Sequence, residues 1–455
     1  MPAVDAAAPL RAIAVAGTQS GVGKTTVALG LIGALRRRGL TVQAFKVGPD
    51  FIDPLHHRRA SGRPSRNLDG WMLDAETNRR TFARATADAD VAVVEGMMGL
   101  FDGSEGASDR GSTAETAKLL GIPVLLVVDA SALARSAAAL VHGYTSFDPE
   151  LRVAGVVLNN LGGAAHASTI RDAIAGRVPV LGALPRAPEL VLPERHLGLR
   201  LPHEAPAGSL ARLAELVEEH VDLDALLAHA RIERPPPPPR PPRTPPRARL
   251  AVACDEAFCF YYADNLELLE QAGAALVPFS PLRDPLPDGV DGVYLGGGYP
   301  ELHGAALAAN AATRAAIGRL AAEGGPIYAE CGGLLYLARS LEVGGERHAM
   351  CGVLPLETRM PDRPRIAYVE VTTAGGLFGA GLRARGHVFH HSGITAEPRG
   401  VRRCYRLVTS RGERGAEGYA VGNVLASYAH LHFGSNPGLA AALVERCAGW
   451  RSRET

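Results

Sequence analysis

Gly17-Thr18-Gln19-Ser20-Gly21-Val22-Gly23-Lys24-Thr25-Thr26 follows an apolar run, Ala12–Ala16, and precedes an Ala- and Leu-rich stretch, Thr25–Arg38. A strand that ends in glycines and opens a helix lets backbone N–H groups converge on phosphate oxygens, with the helix dipole behind them. Lys24 has the reach for β- and γ-phosphates, and Thr25 offers a hydroxyl to Mg2+. Gly17, Thr18, Gly21, Gly23, Lys24, Thr25 and Thr26 are therefore the expected nucleotide contacts. The first glycine stands one residue earlier than in the usual GxxxxGK spacing, with Thr18 in its place.

Outward from this loop, short β-branched runs alternate with helical stretches. Strands are expected at Val42–Val47, Val91–Glu95, Val124–Asp129, Val153–Asn159 and Val180–Leu184. Nearly continuous apolar runs of this kind mark parallel strands buried on both faces, hence an α/β doubly wound sheet. Such sheets bind ligands at the carboxyl ends of their strands. Asp50 and Asp53 lie there in Lys46-Val47-Gly48-Pro49-Asp50-Phe51-Ile52-Asp53-Pro54, and Glu95 and Asp102 lie in Glu95-Gly96-Met97-Met98-Gly99-Leu100-Phe101-Asp102-Gly103. Four carboxylates near a triphosphate need a cation, and Mg2+ held by Thr25, Asp50, Asp53, Glu95 and Asp102 is the expected one. Asn159 ends another strand, where its amide suits adenine or a simple turn.

From Arg234 to Arg247 the chain reads RPPPPPRPPRTPPR. Proline lacks an N–H and fixes φ, so this stretch reads as an extended spacer rather than helix or strand. The expected division is a nucleotide domain at 1–230, a linker at 231–248 and a second α/β domain at 249–455. The second domain has strand candidates at Leu250–Ala253, Ala275–Phe279, Gly292–Leu295, Ile327–Ala329 and Val424–Tyr428. Pro326-Ile327-Tyr328-Ala329-Glu330-Cys331-Gly332-Gly333-Leu334 reads as strand, sharp turn and helix start, a nucleophile elbow with Cys331 in the nucleophile's place. A thiolate needs a base, and His430 in Ser427-Tyr428-Ala429-His430-Leu431-His432 is assigned to it. If that strand continues, His432 shares its side, and the third member of the triad stays open. Leu295-Gly296-Gly297-Gly298-Tyr299 offers glycine N–H groups for an oxyanion. His387, His390 and His391 form a further cluster read as scaffold or substrate pocket.

Composition closes off other classes. Of 455 residues, 48 are Lys or Arg and 47 Asp or Glu, a net charge of +1 that supplies no field for nucleic acid. No apolar stretch reaches the roughly 20 residues of a membrane span, and the first residues lack the pattern of a secretory signal. The six cysteines include no CxxC pair, which suits reduced thiols in the cytoplasm and argues against zinc.

The loop resembles that of dethiobiotin synthetase and its relatives; Gln19 stands where partitioning and septum-site ATPases carry a signature lysine. Taken together, GTxSGVGKTT, KxGPDFIDP, EGxMGLFDG, LGGGYPE, AECGGLxYL, GHxFHxS and SYxHxHFGSNP resemble, in order, cobyrinic and hydrogenobyrinic acid a,c-diamide synthases. The resemblance implies a P-loop NTPase-like, dethiobiotin synthetase-like domain followed by a class I glutamine amidotransferase-like domain. It implies a ligase that uses ATP, Mg2+ and L-glutamine to amidate acetate side chains a and c of a corrinoid tetrapyrrole. It also implies metal or acyl-phosphate contacts for Asp50, Asp53, Glu95 and Asp102, and leaves a homodimer open. Phe51 departs from the family's frequent tyrosine. Cobyric acid synthase, nickel-sirohydrochlorin a,c-diamide synthase and a regulatory ATPase with an inactive thiol domain are the alternatives. The Ala- and Arg-rich, Lys-poor composition leans towards a high-GC genome and cobalt-free hydrogenobyrinic acid.

Overall fold

The computed structural model describes residues 9–190, 194–195, 198–239, 245–360, 363–398 and 400–451. They form two compact units, residues 1–239 and 240–455. Among the described residues, no helix is long and apolar enough to cross a membrane.

In the first unit, β1 (Leu10–Gly17), β2 (Val42–Val47), β3 (Arg66–Leu68), β4 (Val91–Glu95), β5 (Val124–Asp129), β6 (Val153–Leu161) and β7 (Val180–Pro185) lie in the order β3-β2-β4-β1-β5-β6-β7. All these pairings are parallel. The period of two sorts each strand between two cores. Ile13, Val15, Val91, Val93, Leu125 and Val127 face one; Ala12, Ala14, Ala92, Val94, Val124 and Leu126 face the other. Burial on both faces is why these strands carry almost no polar residue until their carboxyl ends. Strand order reverses beside β1, so helix α1 (Lys24–Arg37) starts at the crevice where such sheets bind ligands. Helix α2 (Ile52–Ser61) follows β2.

A short hairpin, β8 (Glu194–Arg195) with β9 (Gly198–Leu199), lies beyond β7. The helix Ser209–His220 then packs on α1 so closely that a Cβ on Gly30 would stand 2.4 Å from Val217 Cγ2. β10 (Arg231–Ile232) returns antiparallel to the start of β1, pairing Ile232 with Leu10. The Arg234 guanidinium donates to the Thr86 and Ala89 carbonyls at 2.8 and 3.1 Å. The first unit thus runs on past residue 230 to 239; residues 240–244 of the proline-rich spacer lie outside the described residues.

In the second unit, β11 (Ala248–Ala253), β12 (Ala274–Phe279), β13 (Gly292–Leu295) and β14 (Ile327–Glu330) are parallel, as expected. A four-stranded sheet follows, built from β15 (Ser340–Val343), β16 (Glu346–Ala349), β17 (Glu357–Met360) and later β20 (Gly393–Ala396). The remaining strands are β18 (Arg365–Ala374), β19 (Ala380–His390), β21 (Arg402–Thr409), β22 (Arg414–Val421), β23 (Val424–Ser427) and β24 (Ala429–Leu431). The large sheet runs β12-β11-β13-β14-β23-β22-β21-β18-β19-β24. β23 and β24 are one stretch of chain broken at Tyr428, so the antiparallel strands curl until β19 meets the continuation of β23.

The antiparallel half was not expected. β18, Arg-Ile-Ala-Tyr-Val-Glu-Val-Thr-Thr-Ala, buries alternate positions such as Val369 and Val371 and leaves polar residues between them. Such a run lacks the continuous apolar signature by which the parallel strands were found.

Candidate functional site

The first site gathers at the carboxyl ends of β1, β2 and β4. Gly23 has φ +94°, and a Cβ there would stand 2.2 Å from Asn159 Nδ2. That amide donates to the Val22 carbonyl at 2.9 Å, so Asn159 braces the loop from β6. One N–H of that amide is thus given to the phosphate loop. Gly17 is needed because a Cβ would strike Val22 Cγ2 at 2.6 Å. The Thr18 carbonyl accepts from the Tyr144 hydroxyl. Lys24 reaches back over the loop to the Gln19 carbonyl at 3.0 Å. Burial, then the neighbouring Lys46 ammonium, lower the Lys24 pKa to about 8 against the pull of Glu95, Asp53 and Asp102.

Asp50, Asp53 and Glu95 interact with one another around a buried lysine. Lys46, on β2, sets its ammonium 2.6 Å from Asp53 Oδ2, 3.0 Å from Glu95 Oε1 and 3.0 Å from the Gly96 carbonyl. The His57 Nε2–H donates to Glu95 Oε2 at 2.6 Å, and the Thr25 hydroxyl to Glu95 Oε1 at 2.6 Å. Burial alone would raise the Glu95 pKa, but Lys46, His57 and Thr25 hold it far below the carboxylate range. Asp53 is pushed up by burial and by the Asp50 and Glu95 carboxylates. Asp50 accepts from the Ile52 N–H at the start of α2 (2.7 Å), and Asp102 from the Gly99 N–H (2.8 Å). Part of the balancing charge expected of a metal ion is thus the protein's own. Lys46 carries it and His57 adds a hydrogen bond to Glu95, and sequence reasoning had given neither a role. Lys46 sits at a strand position where period two predicts a plain buried residue; its proximity to Asp53 in sequence was the available signal. Among the described residues, no three His, Cys, Asp or Glu side chains are grouped to hold a metal unaided.

The second site lies where β14 gives way to the helix Gly332–Leu337. Cys331 sits between them at φ +46°, ψ −99°, a strained elbow for a residue with a Cβ. The helix has only 6 residues, a weak dipole compared with the one expected. A Cβ on Gly332 would come within 3.1 Å of Gly298 N, and one on Gly333 within 2.4 Å of the Leu295 carbonyl, so the glycine loop after β13 packs against the elbow. The Gly296 N–H is engaged by the Tyr261 hydroxyl at 2.8 Å.

His430 is brought in by β24, directly opposite His387 of β19. Their rings stack at 5.0 Å. A Cβ on Gly297 would strike the His430 ring at 2.5 Å, which fixes that glycine. His432 does not continue the strand, because β24 ends at Leu431. Its Nδ1 accepts from the Gly434 N–H (3.1 Å), and its ring lies on Tyr262. The carboxylate near His430 belongs to Glu330, the residue before the cysteine. Oε1 accepts from the Tyr328 hydroxyl (2.7 Å) and the Leu431 N–H (3.0 Å). Oε2 accepts from the Tyr294 hydroxyl (3.0 Å) and lies 3.7 Å from His430 Nδ1. Burial would lower the His430 pKa; Cys331 and Glu330 override it and raise it to about 9.

A nucleotide loop on a parallel sheet and a cysteine–histidine elbow on a second α/β unit define a glutamine amidotransferase coupled to an ATP-using domain. Family models agree in both halves. Residues 13–199 match the CobQ/CobB/MinD/ParA nucleotide binding domain, and residues 249–438 the CobB/CobQ-like glutamine amidotransferase domain. The chain is 48% identical to a cobyrinate a,c-diamide synthase of Syntrophotalea carbinolica, covering 96% of this chain and 98% of that one. It is 44% identical to a hydrogenobyrinate a,c-diamide synthase of Mycobacterium bovis (96% and 98% covered) and 41% identical to one of Streptomyces coelicolor (98% and 99%). The chain belongs to the cobyrinate and hydrogenobyrinate a,c-diamide synthase family.

Proposed function

We propose that this protein amidates the a and c acetate carboxylates of cobyrinate or hydrogenobyrinate, using ATP and glutamine. The observation that carries the reading is the presence, in one chain, of a P-loop lined by paired acids and a strained cysteine beside a buried histidine. Near-full-length identity to a,c-diamide synthases names the substrate class.

Carboxylate and ammonia do not condense in water without activation. At the first site the substrate carboxylate attacks the γ-phosphorus of ATP, giving an acyl phosphate and ADP. Lys24 and the loop N–H groups neutralise the transferring phosphoryl group. Thr25 and Glu95 present adjacent hard oxygens, a donor set that fits Mg2+ together with phosphate oxygens. Bound there, Mg2+ neutralises triphosphate charge. Lys46 keeps Asp53 and Glu95 compatible with an anionic substrate nearby. Asp50 and Asp102, anchored by backbone N–H groups, face the same crevice.

At the second site His430 takes the Cys331 proton, and the thiolate attacks the glutamine carboxamide. The Gly297 and Gly298 N–H groups hold the oxyanion, since Gly296 is engaged elsewhere. Ammonia leaves, water hydrolyses the thioester to glutamate, and ammonia displaces phosphate from the acyl phosphate to give the amide.

The test is incubation of the protein with cobyrinate or hydrogenobyrinate, ATP, Mg2+ and glutamine, with products read by mass. Mono- and diamides from one or both substrates are expected. No amide from either would overturn the reading, and the preferred corrinoid settles the metal question that composition only leans on.

A further inference from the structure

Glu330 is placed by three donors from three directions: Tyr294 on β13, Tyr328 on its own strand and the Leu431 N–H on β24. A carboxylate has about four acceptor sites. Those three donors leave acceptor capacity on Oε2, and His430 Nδ1 lies 3.7 Å from that oxygen, with both side chains 2% exposed or less. That separation is long for a hydrogen bond, but such contacts tighten when substrate binds. The same Leu431 N–H that fixes Oε1 belongs to the residue after His430, so the carboxylate holds the ring and its backbone together.

We propose that Glu330 is the positioning residue of the thiol site, its carboxylate orienting the His430 imidazole through Nδ1 so that Nε2 is presented to Cys331. The proposal rests on the glutaminase reading above. The groups that face His430 are Cys331 from the elbow, Glu330 from β14, His387 stacked on it and His390 within electrostatic reach, both from β19, and the Gly297 backbone from the glycine loop. Glu330 is the carboxylate among them, and His387, itself held well below the ordinary histidine range by burial and by His430 and His432, adds no compensating negative charge. The Cys331 and Glu330 contacts raise His430 to a pKa of about 9, in keeping with an imidazolium stabilised on both sides. A family triad that places its acid after the histidine would here put His432 in that role. The chain instead supplies the acid from the position before the nucleophile.

The purely structural role open to Glu330 is a latch joining β13, β14 and β24. The two roles differ in their pH dependence. Glutamine hydrolysis by the full-length protein would be measured as kcat and KM across about pH 6–10 for wild type, Glu330→Gln and Glu330→Asp. Alkylation of Cys331 by iodoacetamide, followed by peptide mass, would be measured over the same range. For Glu330→Gln we expect kcat to fall about tenfold or more with KM little changed. We also expect the alkaline limbs of kcat/KM and of the alkylation profile to move by at least about one pH unit. Glu330→Asp, which keeps the charge but withdraws it by about one carbon–carbon bond, about 1.5 Å, should move both partway. A fall in kcat with both profiles unmoved, in a variant with unchanged circular dichroism, would make Glu330 a latch and overturn the proposal. If Glu330→Gln does not fold, Glu330→Asp decides by the same limbs. A wild type that hydrolyses no glutamine would overturn the glutaminase reading itself, whereas an active wild type with unmoved variant profiles overturns the Glu330 assignment alone.

Discussion

Removing the Lys46 ammonium would leave Asp53 and Glu95 buried with no cation between them. Loss of one partner of a buried ion pair costs about 3–5 kcal/mol. Lys46→Met should lower unfolding free energy by that order in urea titrations and abolish amidation with either glutamine or ammonium salts. Lys24→Ala should also abolish amidation from both donors, with a much smaller stability change, because Lys24 contacts a loop carbonyl rather than a carboxylate. Lys24 has a second readout. Its pKa of about 8 lies below the 10.5 of a free lysine, so between those values the unfolded chain holds more protons and stability rises with pH. ATP brings negative charge to that ammonium. Binding near pH 8.5 should therefore take up a proton, seen as a buffer-dependent enthalpy in calorimetry and absent in Lys24→Ala. In the sequence, glycines and strand ends flag Lys24, Thr25, Cys331 and His430. Lys46, His57 and Glu330 stay hidden there, because Lys46 and His57 meet on Glu95 far along the chain and Glu330 is held by groups on β13, its own strand and β24.

The phosphate loop depends on two left-handed glycines with different surroundings. Gly21 has φ +78° and nothing within 4 Å of a Cβ position; Gly23 has φ +94° and Asn159 in the way. An alanine in this backbone region costs about 1–2 kcal/mol. Gly21→Ala should lose about that in stability and keep measurable ATP binding. Gly23→Ala should displace the Asn159 amide as well and lose ATP binding outright, as checked by fluorescence titration with a nucleotide analogue. Legibility at this scale follows the solvent. Val42–Val47, Val91–Glu95, Val124–Asp129 and Gly292–Leu295 match their expected limits because both faces are buried. β18, β19, β21 and β22 carry exposed Arg and half-buried Glu and Thr between their core residues, and their pairing partners, rather than their composition, make them strands.

Each unit owns its cores: two lie wholly between Leu10 and Ile232, two between Ala248 and Trp450. Residues 240–455 expressed alone should therefore be soluble and unfold cooperatively, and binding of an apolar dye to that fragment would count against this. The division of chemistry gives a sharper test. Cys331→Ala should lose amidation with glutamine and retain it with ammonium at raised pH, where more NH3 is free; loss of both in a folded protein would place Cys331 in the wrong site. The topology of the second unit also bears on when this chemistry can begin. β23 lies between β14 and β22 at the middle of the sheet, yet it is built from residues 424–427. A ribosome delivers Cys331 long before that strand. Until β23 arrives, the parallel half has no neighbour beyond β14, and the elbow has no histidine, because His430 enters on the same stretch. A chain stalled or cleaved before this point carries the thiol without its base, so it cannot drain the cell's glutamine into free ammonia.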